Sequence, residues 1–395
     1  MSGGGDDARW QPWRDRFLVF GAPSIGAAER DEVLACLESG WLGTGPRVAE
    51  LERRLAGYLD APAALAVNSC SAALHLALTV LDLPPASEVI TTSMTFCATA
   101  NAIVHAGCEP VFADCDPRTF NIDVEDVRRK ITPRTRAILA VHFAGRPCDV
   151  AGLTELAREH GLALIEDAAH ALEATVGGRH CGTFGDFGCF SFYVTKSVTT
   201  AEGGLLVARD ARLADRLRRL SLHGMSADAW RRHADDGFAH YEVLEPGFKY
   251  NLTDLAAAIG LHQLAGMDQR WERRRAVWNR YQAELADLPV QLPAAPAAET
   301  RHAFHLFTCL VDDSRTSVAR DDVLARLRAL RIGAGVHYRA VHLHPWYQRR
   351  YGERTGRLPG AEWVSDRTFS LPLSPDMTDV DVADVARALR LILSP

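Results

Sequence analysis

Of the 44 basic residues in this chain, only Lys130, Lys196 and Lys249 carry a primary amine. Chemistry that needs a side-chain amine, above all Schiff-base formation with a carbonyl, must therefore use one of these. Lys130 lies in VRRKI, which reads as a solvated helical face. Lys249, in GFKYN, is the competitor. Lys196 follows the apolar run FGCFSFY (187–193) and precedes the glycine-containing TTAEGG, which places a rare amine at the end of an expected strand. Other reactive types fall at similar places. The run LALIED (162–167) ends in Asp167, with His170 three residues on; ALAV (64–67) leads into Asn68-Ser69-Cys70-Ser71; EVITT (88–92) leads into Thr95 and Phe96. Taken singly, each has a plainer reading: Asp167 as a turn former, Ser69 and Ser71 as a helix cap, Phe96 as core.

The elements that would hold these residues follow from hydrophobic pattern. ALAV, EVITT, PVFAD (110–114), RAILAVH (136–142), LALIED, FGCFSFY and GLLVA (204–208) are short and nearly continuously apolar, as suits strands covered on both faces. Helical patterns separate them, SAALHLALTVL (71–81) and VAGLTELAREH (150–160) among them. Strand–helix alternation predicts an α/β fold with a mostly parallel sheet. Ligands then gather outside the carboxyl ends of the strands, where the four turns named above would share one rim. Downstream, LTDLAAAIGLHQL (252–264), WERRRAVWNRYQAELADL (271–288), HLFTCLV (305–311), RDDVLARLRALRI (320–332) and DVADVARALRLIL (381–393) predict helices and one strand of a smaller α+β unit. The expected division is a flexible N-terminus (1–17), a large domain (18–265) and a small C-terminal domain (266–395).

Pyridoxal 5′-phosphate (PLP) makes four demands. Its aldehyde needs a lysine amine, its ring nitrogen a carboxylate, its phosphate backbone amides and hydroxyls, and its ring an aromatic face. Lys196, Asp167, the Ser69–Ser71 helix start and Phe96 offer one group for each. A helix N-terminus suits a phosphate because its first amides have no helical acceptor.

Composition narrows the classes. A net charge of −6 gives no basic footprint for nucleic acid. No apolar run approaches the length of a membrane span, and the polar start is unlike a signal peptide, so a cytoplasmic location is expected. Nine scattered cysteines without a CxxC pair read as reduced thiols, and no metal site is expected. The turn after the first strand has no glycine, against a GxGxxG nucleotide-binding oxidoreductase.

The stretch FSFYVTKSVTTAEGG (190–204) closely resembles the signature of the DegT/DnrJ/EryC1/StrS sugar-nucleotide aminotransferases. NSCSAALHLAL (68–78), EVITTSMTFCATANAI (88–103), PVFADCD (110–116), RTRAILAVHFAG (134–145), IEDAAHALEA (165–174), PGFKYNLTDLAAAIGLHQL (246–264), GVHYRAVHLHPWY (335–347) and SLPLSPDMT (370–378) extend the likeness in family order to the C-terminus. The resemblance implies the aspartate aminotransferase-like architecture of PLP enzymes of fold type I. It makes Lys196 the covalent anchor and proton shuttle, pairs Asp167 with the ring nitrogen and sets His170 on the ring hydroxyl. Cys70 through its backbone, Ser71 and Ser191 would hold the phosphate, and Phe96 would stack on the ring. Asn251 would reach the cofactor of the neighbouring subunit, making a homodimer with shared active sites. His337, Tyr338 and His342 would line the substrate pocket. The implied reaction moves an amino group from L-glutamate to a nucleotide-linked 4-keto sugar, as in the enzyme making UDP-4-amino-4-deoxy-L-arabinose. A dTDP-4-keto-6-deoxyhexose feeding an antibiotic or a glycan is the expected acceptor, with a 3-keto or UDP-linked sugar, or a non-catalytic regulatory protein of PLP fold, as alternatives. Two positions depart from the commonest pattern: Ala201 stands where TTGEGG has glycine, and Cys70 where glycine is frequent. Retention of Lys196, which family dehydratases replace by histidine, favours transamination.

Overall fold

The computed structural model describes residues 10–226 and 241–393. Seven strands form the central sheet: β1 (Ala63–Val67), β2 (Glu88–Thr92), β3 (Glu109–Ala113), β4 (Thr135–Val141), β5 (Ala163–Asp167), β6 (Phe187–Ser191) and β7 (Gly204–Ala208). Their spatial order is β1-β7-β6-β5-β4-β2-β3. All five residues of β2 and of β7 are buried, which is why these segments lack the polar alternation of a one-faced sheet.

Four pairings, from β6 across β5, β4 and β2 to β3, are parallel. Strand β7 runs the other way, antiparallel to both β1 and β6. The reversal keeps the rim intact. With β7 reversed, β1 again points the same way as β6, so the carboxyl ends of β1, β2, β5 and β6 and the start of β7 share one edge. In register, Asp167 lies opposite Cys189, Ser191 opposite Gly204, and Gly204 opposite Val67.

Helices cover both faces and are capped as their sequences indicate. Ser69 accepts from the Ala72 amide (3.1 Å), Asp149 from Gly152 (2.9 Å) and Thr253 from Ala256 (3.2 Å), each satisfying an amide of the first turn. The helices expected over 71–81 and 252–264 occupy Cys70–Thr79 and Asp254–Ala265. The long arginine-rich helix starts earlier than its pattern indicated, at Met267–Glu284.

A second core forms around Trp278, Tyr281, Phe307, Phe369, Val385 and Leu389. It lies between the helices Met267–Glu284, Arg320–Ala329 and Asp379–Leu393 and an antiparallel sheet of Val290–Gln291, Phe307–Val311 and Thr368–Leu371. Each such fully buried aromatic contributes about 2–3 kcal/mol of burial. Part of the segment expected as a flexible N-terminus is tied to this unit. Trp13 donates to Asp384 (3.0 Å) and Arg14 pairs with Asp381 (2.6 Å); just beyond that segment, Leu18 bridges to Ile332. Residues 1–9 of that segment lie outside the described residues.

Among the described residues no helix is long and apolar enough to cross a membrane, and no group of three or more His, Cys, Asp or Glu gathers as a metal site. The cysteines are unpaired and buried, except the half-buried Cys70 and Cys97.

Candidate active site

A cavity of about 570 Å³ opens on the shared rim. Four connections build one wall. The turn after β5 holds Asp167 and His170, and β6 and the turn beyond it hold Ser191 and Lys196. Beyond β1 come Cys70 and Ser71 in the first turn of helix Cys70–Thr79; beyond β2 come Phe96 and Thr99, around the start of helix Cys97–His105. The loop leading into β7 adds Glu202 and Gly203. The other wall comes from Phe20, His305, His337 and Tyr338.

The rim approaches the helix start at the closest possible distance. A Cβ on Gly204 would stand 2.6 Å from the Cys70 amide nitrogen, so only glycine fits there. The Cys70 and Ser71 amides, with no helical acceptor, are left at the cavity edge.

Asp167 is buried at 6% exposure. One of its oxygens accepts from Thr99 Oγ1 (2.8 Å) and the other from the Ala169 amide (3.1 Å). Burial raises its pKa, against the lowering effect of these two hydrogen bonds. Among the described residues it makes no ion pair. A buried carboxylate that lines a cavity without being tied up in an ion pair is a seat for a cationic ligand group.

Lys196 faces the same space with no carboxylate partner among the described residues; its Nζ stands 3.4 Å from His305 Nε2. Burial lowers the amine from 10.5 to about 8. Just past it, Ser197 donates to Glu173 (3.0 Å), and Glu173 forms a fully buried ion pair with Arg274. Behind the rim, His142 Nε2 meets Glu166 (2.9 Å), which also accepts from the Gly182 and Gly185 amides (2.7 Å each). These contacts brace the turns that carry Asp167 and Lys196.

The aromatic and imidazole groups complete the cavity. The Phe96 ring is 57% exposed, facing the cavity 6.0 Å from the Tyr338 ring. His170 shares its Nε2 with Tyr338 Oη (3.3 Å) and lies 4.4 Å from the His305 ring, while its Nδ1 is buried without a partner among the described residues. Burial holds His170 and His305 well below the ordinary imidazole pKa and lowers His337 to about 4, so all three are neutral near pH 7. An amine, a buried unpaired carboxylate, an orphaned ring nitrogen, an exposed aromatic face and a helix start with free amides thus surround one space, and they fit PLP.

The family model for the DegT/DnrJ/EryC1/StrS aminotransferases matches residues 23–390. The chain belongs to this family. Spore coat polysaccharide biosynthesis protein SpsC of Bacillus subtilis is 45% identical over 96% of this chain and 98% of its own length. The PLP form of the putative sugar aminotransferase Spr1654 from Streptococcus pneumoniae superposes with a TM-score of 0.88 at 30% identity, covering 95% of this chain and 98% of that one. DesI, determined in the presence of its TDP-sugar product, gives a TM-score of 0.86 at 34% identity, over 96% of this chain and 94% of its own. This member of the DegT/DnrJ/EryC1/StrS family is a PLP-dependent aminotransferase of fold type I.

Of the residues expected in the site, nine line the family member's cavity: Cys70, Ser71, Phe96, Asp167, His170, Ser191, Lys196, His337 and Tyr338. His342 does not. It is buried in the turn Val341–Leu343, its Nδ1 on Ser93 Oγ (2.6 Å) and its Nε2 3.7 Å from Glu362. The helical turn rotates it away from the face presented by His337 and Tyr338, and its contacts tie that turn to the loop carrying Phe96. Asn251 also lies off its own chain's cavity, bridged to Val67 and donating to Thr44 Oγ1 (2.7 Å). Thr99 and His305 escaped the sequence reading. Thr99 was open to the strand-end rule, three residues beyond Phe96 in the same turn. His305 carried no such signal: HLFTCLV read as strand from its first residue, whereas the strand begins at Phe307 and residues 305 and 306 line the cavity. Ala201, in the glycine position of TTGEGG, has φ 68°, a left-handed conformation that explains the family's glycine there.

Proposed function

We propose that this aminotransferase moves an amino group from L-glutamate to a nucleotide-linked 4-keto sugar, a dTDP-4-keto-6-deoxyhexose by preference, with Lys196 as cofactor anchor and proton carrier. The observation that carries the reading is the pairing, across one cavity, of a lone amine of lowered basicity with a buried carboxylate that has no cation of its own. When bound, PLP supplies an aldehyde that accepts nitrogen and a cationic ring that withdraws electrons from the reacting carbon. Asp167 would hold that ring's proton, with Thr99 and the Ala169 amide orienting the carboxylate. The Cys70 amide and the Ser71 and Ser191 hydroxyls would take the phosphate, Phe96 would cover the ring, and His170 would bond its hydroxyl. An amine of pKa about 8 serves as both base and acid near neutral pH.

Neutral His337 and Tyr338 suit sugar hydroxyls and a keto oxygen better than a second charged substrate group. The TDP-sugar product of DesI supports the nucleotide. Asn251 of the partner subunit would complete the phosphate seat in a homodimer. Leu34, Leu37, Trp41 and Leu42 are each 45–57% exposed, and Thr44, two residues beyond Leu42, accepts from Asn251 (2.7 Å); this apolar surface suits a second copy.

Two measurements test the reading. Borohydride reduction of the native protein followed by peptide mapping should place the cofactor on Lys196; label on Lys249 or on no lysine overturns the anchor. Mass spectrometry of a panel of dTDP- and UDP-linked 4-keto and 3-keto sugars with L-glutamate should show the dTDP-4-keto compound aminated fastest. Preference for a 3-keto or UDP-linked sugar replaces the substrate, and no turnover with any of them, with no conversion of glutamate to 2-oxoglutarate, returns the protein to a regulatory reading.

A further inference from the structure

Among the described residues, the one protein group within hydrogen-bond distance of the Lys196 amine comes from the opposite wall. His305 arrives there because its segment turns over the loop after β4: its amide donates to the Ala144 carbonyl (3.1 Å), and the next residues enter the strand Phe307–Val311. The approach depends on Gly145, where a Cβ would stand 2.7 Å from the His170 carbonyl and 2.8 Å from the Ala303 Cβ. The imidazole is then clamped, with His170 at 4.4 Å between centroids on one side and Lys196 Nζ at 3.4 Å from Nε2.

We propose that His305 is a positioning residue that accepts a hydrogen bond from the Lys196 ammonium and holds the amine at the cavity wall whenever it is free of the cofactor. This rests on the reading of Lys196 as the anchor. The surroundings of the pair support it: burial and the Lys196 and Arg274 charges disfavour a proton on His305, whose neighbours His170 and His337 are neutral, while Cys70 and Asp167 favour one on Lys196. With the imidazole far less basic than the amine, the shared proton resides on lysine. His305 is therefore an acceptor and not the base. Its benefit is orientation: a free four-carbon side chain samples many rotamers, and fixing its nitrogen near the reacting carbon removes that search.

The test compares full-length His305→Phe, His305→Asn and His305→Gln with the wild type. Phenylalanine keeps the packing and removes the acceptor, asparagine is too short to reach, and glutamine can restore an acceptor at similar reach. In protein stripped of cofactor, the pH dependence of Lys196 reductive methylation, followed by peptide mass, should have its midpoint near 8 in the wild type. Loss of the acceptor removes stabilisation of the ammonium, so the midpoint should fall by about half a unit or more in the Phe and Asn variants and return towards the wild-type value with Gln. In the holoenzyme, the rate of the glutamate half-reaction should fall about tenfold in Phe and Asn with KM for glutamate within about twofold. Coincident midpoints in wild type and Phe overturn the proposal, as does a Gln variant no better than Asn. Should the Phe variant fail to fold, the Asn–Gln pair alone decides. Borohydride label away from Lys196 would sink the anchor reading while leaving the methylation result interpretable.

Discussion

One wall of the cavity is made by strand ends of the large sheet and the turns beyond them, the other by Phe20 near the N-terminus and turns of the C-terminal unit, and they differ in how they are held. Asp167 ends a strand of the buried ladder and Lys196 sits in the tight turn just beyond the next one, both braced by Glu166, His142, Glu173 and Arg274, all nearly inaccessible to solvent. Phe20, His305, His337 and Tyr338 hang from connections: His337 leans on Ser370 (2.9 Å) and stacks on Phe20 (5.1 Å). The first wall carries the charged and reactive groups; the second offers neutral rings. Rigid elements suit groups that must meet a reacting atom within a fraction of an ångström, whereas connections can vary and so suit recognition.

If that division holds, substitutions on the two walls separate in kinetics. Asp167→Asn should have the largest effect, lowering turnover in the glutamate half-reaction by about 10³-fold with bound cofactor still detectable, because a neutral amide does not hold the ring's proton. A residual rate within about tenfold of wild type would remove the carboxylate from the chemistry. Thr99→Val should cost about tenfold in turnover and raise the Asp167 pKa further, since one buried carboxylate oxygen loses its donor; the acid limb of the pH–rate profile should move to higher pH. His337→Asn, on the second wall, should instead raise KM for the sugar nucleotide about tenfold with kcat little changed. A fall in kcat at constant KM would break the proposed division.

Two smaller effects mark the edges of the comparison. His342→Leu should leave KM for the sugar nucleotide within about twofold yet cost about 1–2 kcal/mol in denaturant unfolding, because Ser93 loses its buried partner. A large change in KM there would return His342 to the substrate pocket. Ala201→Gly should stabilise the holoenzyme by about 0.5–1 kcal/mol, as relief of the left-handed strain at φ 68° exceeds the entropy glycine restores to the unfolded chain. An unchanged or lower melting temperature would show that the strain is absorbed elsewhere.

The strands and the first wall were legible in the sequence because both obey local rules. Buried strands of a doubly covered sheet announce themselves as short apolar runs, β2 and β7 being apolar or β-branched almost throughout, and ligand groups follow their carboxyl ends. Scarcity did the rest for Lys196, which the chain's small stock of amines isolated. Even here the pattern was silent on direction, since β7 reads like the parallel strands of the sheet and its reversal depends on which strands it pairs with.

The second wall was legible only in part. The likeness of GVHYRAVHLHPWY to family motifs brought His337 and Tyr338 into view, but it brought His342 with them, and a single helical turn sends that imidazole to Ser93 instead. His305 belongs to a run that any periodicity rule assigns to a strand, and it reaches Lys196 across 109 positions of sequence. Residue types and strand order are written along the chain, so the chain alone determined the sheet, the amine and its carboxylate. Which neutral ring stands against that amine depends on how two separately packed cores meet at Gly145, and distances across such a junction exist only in the folded molecule.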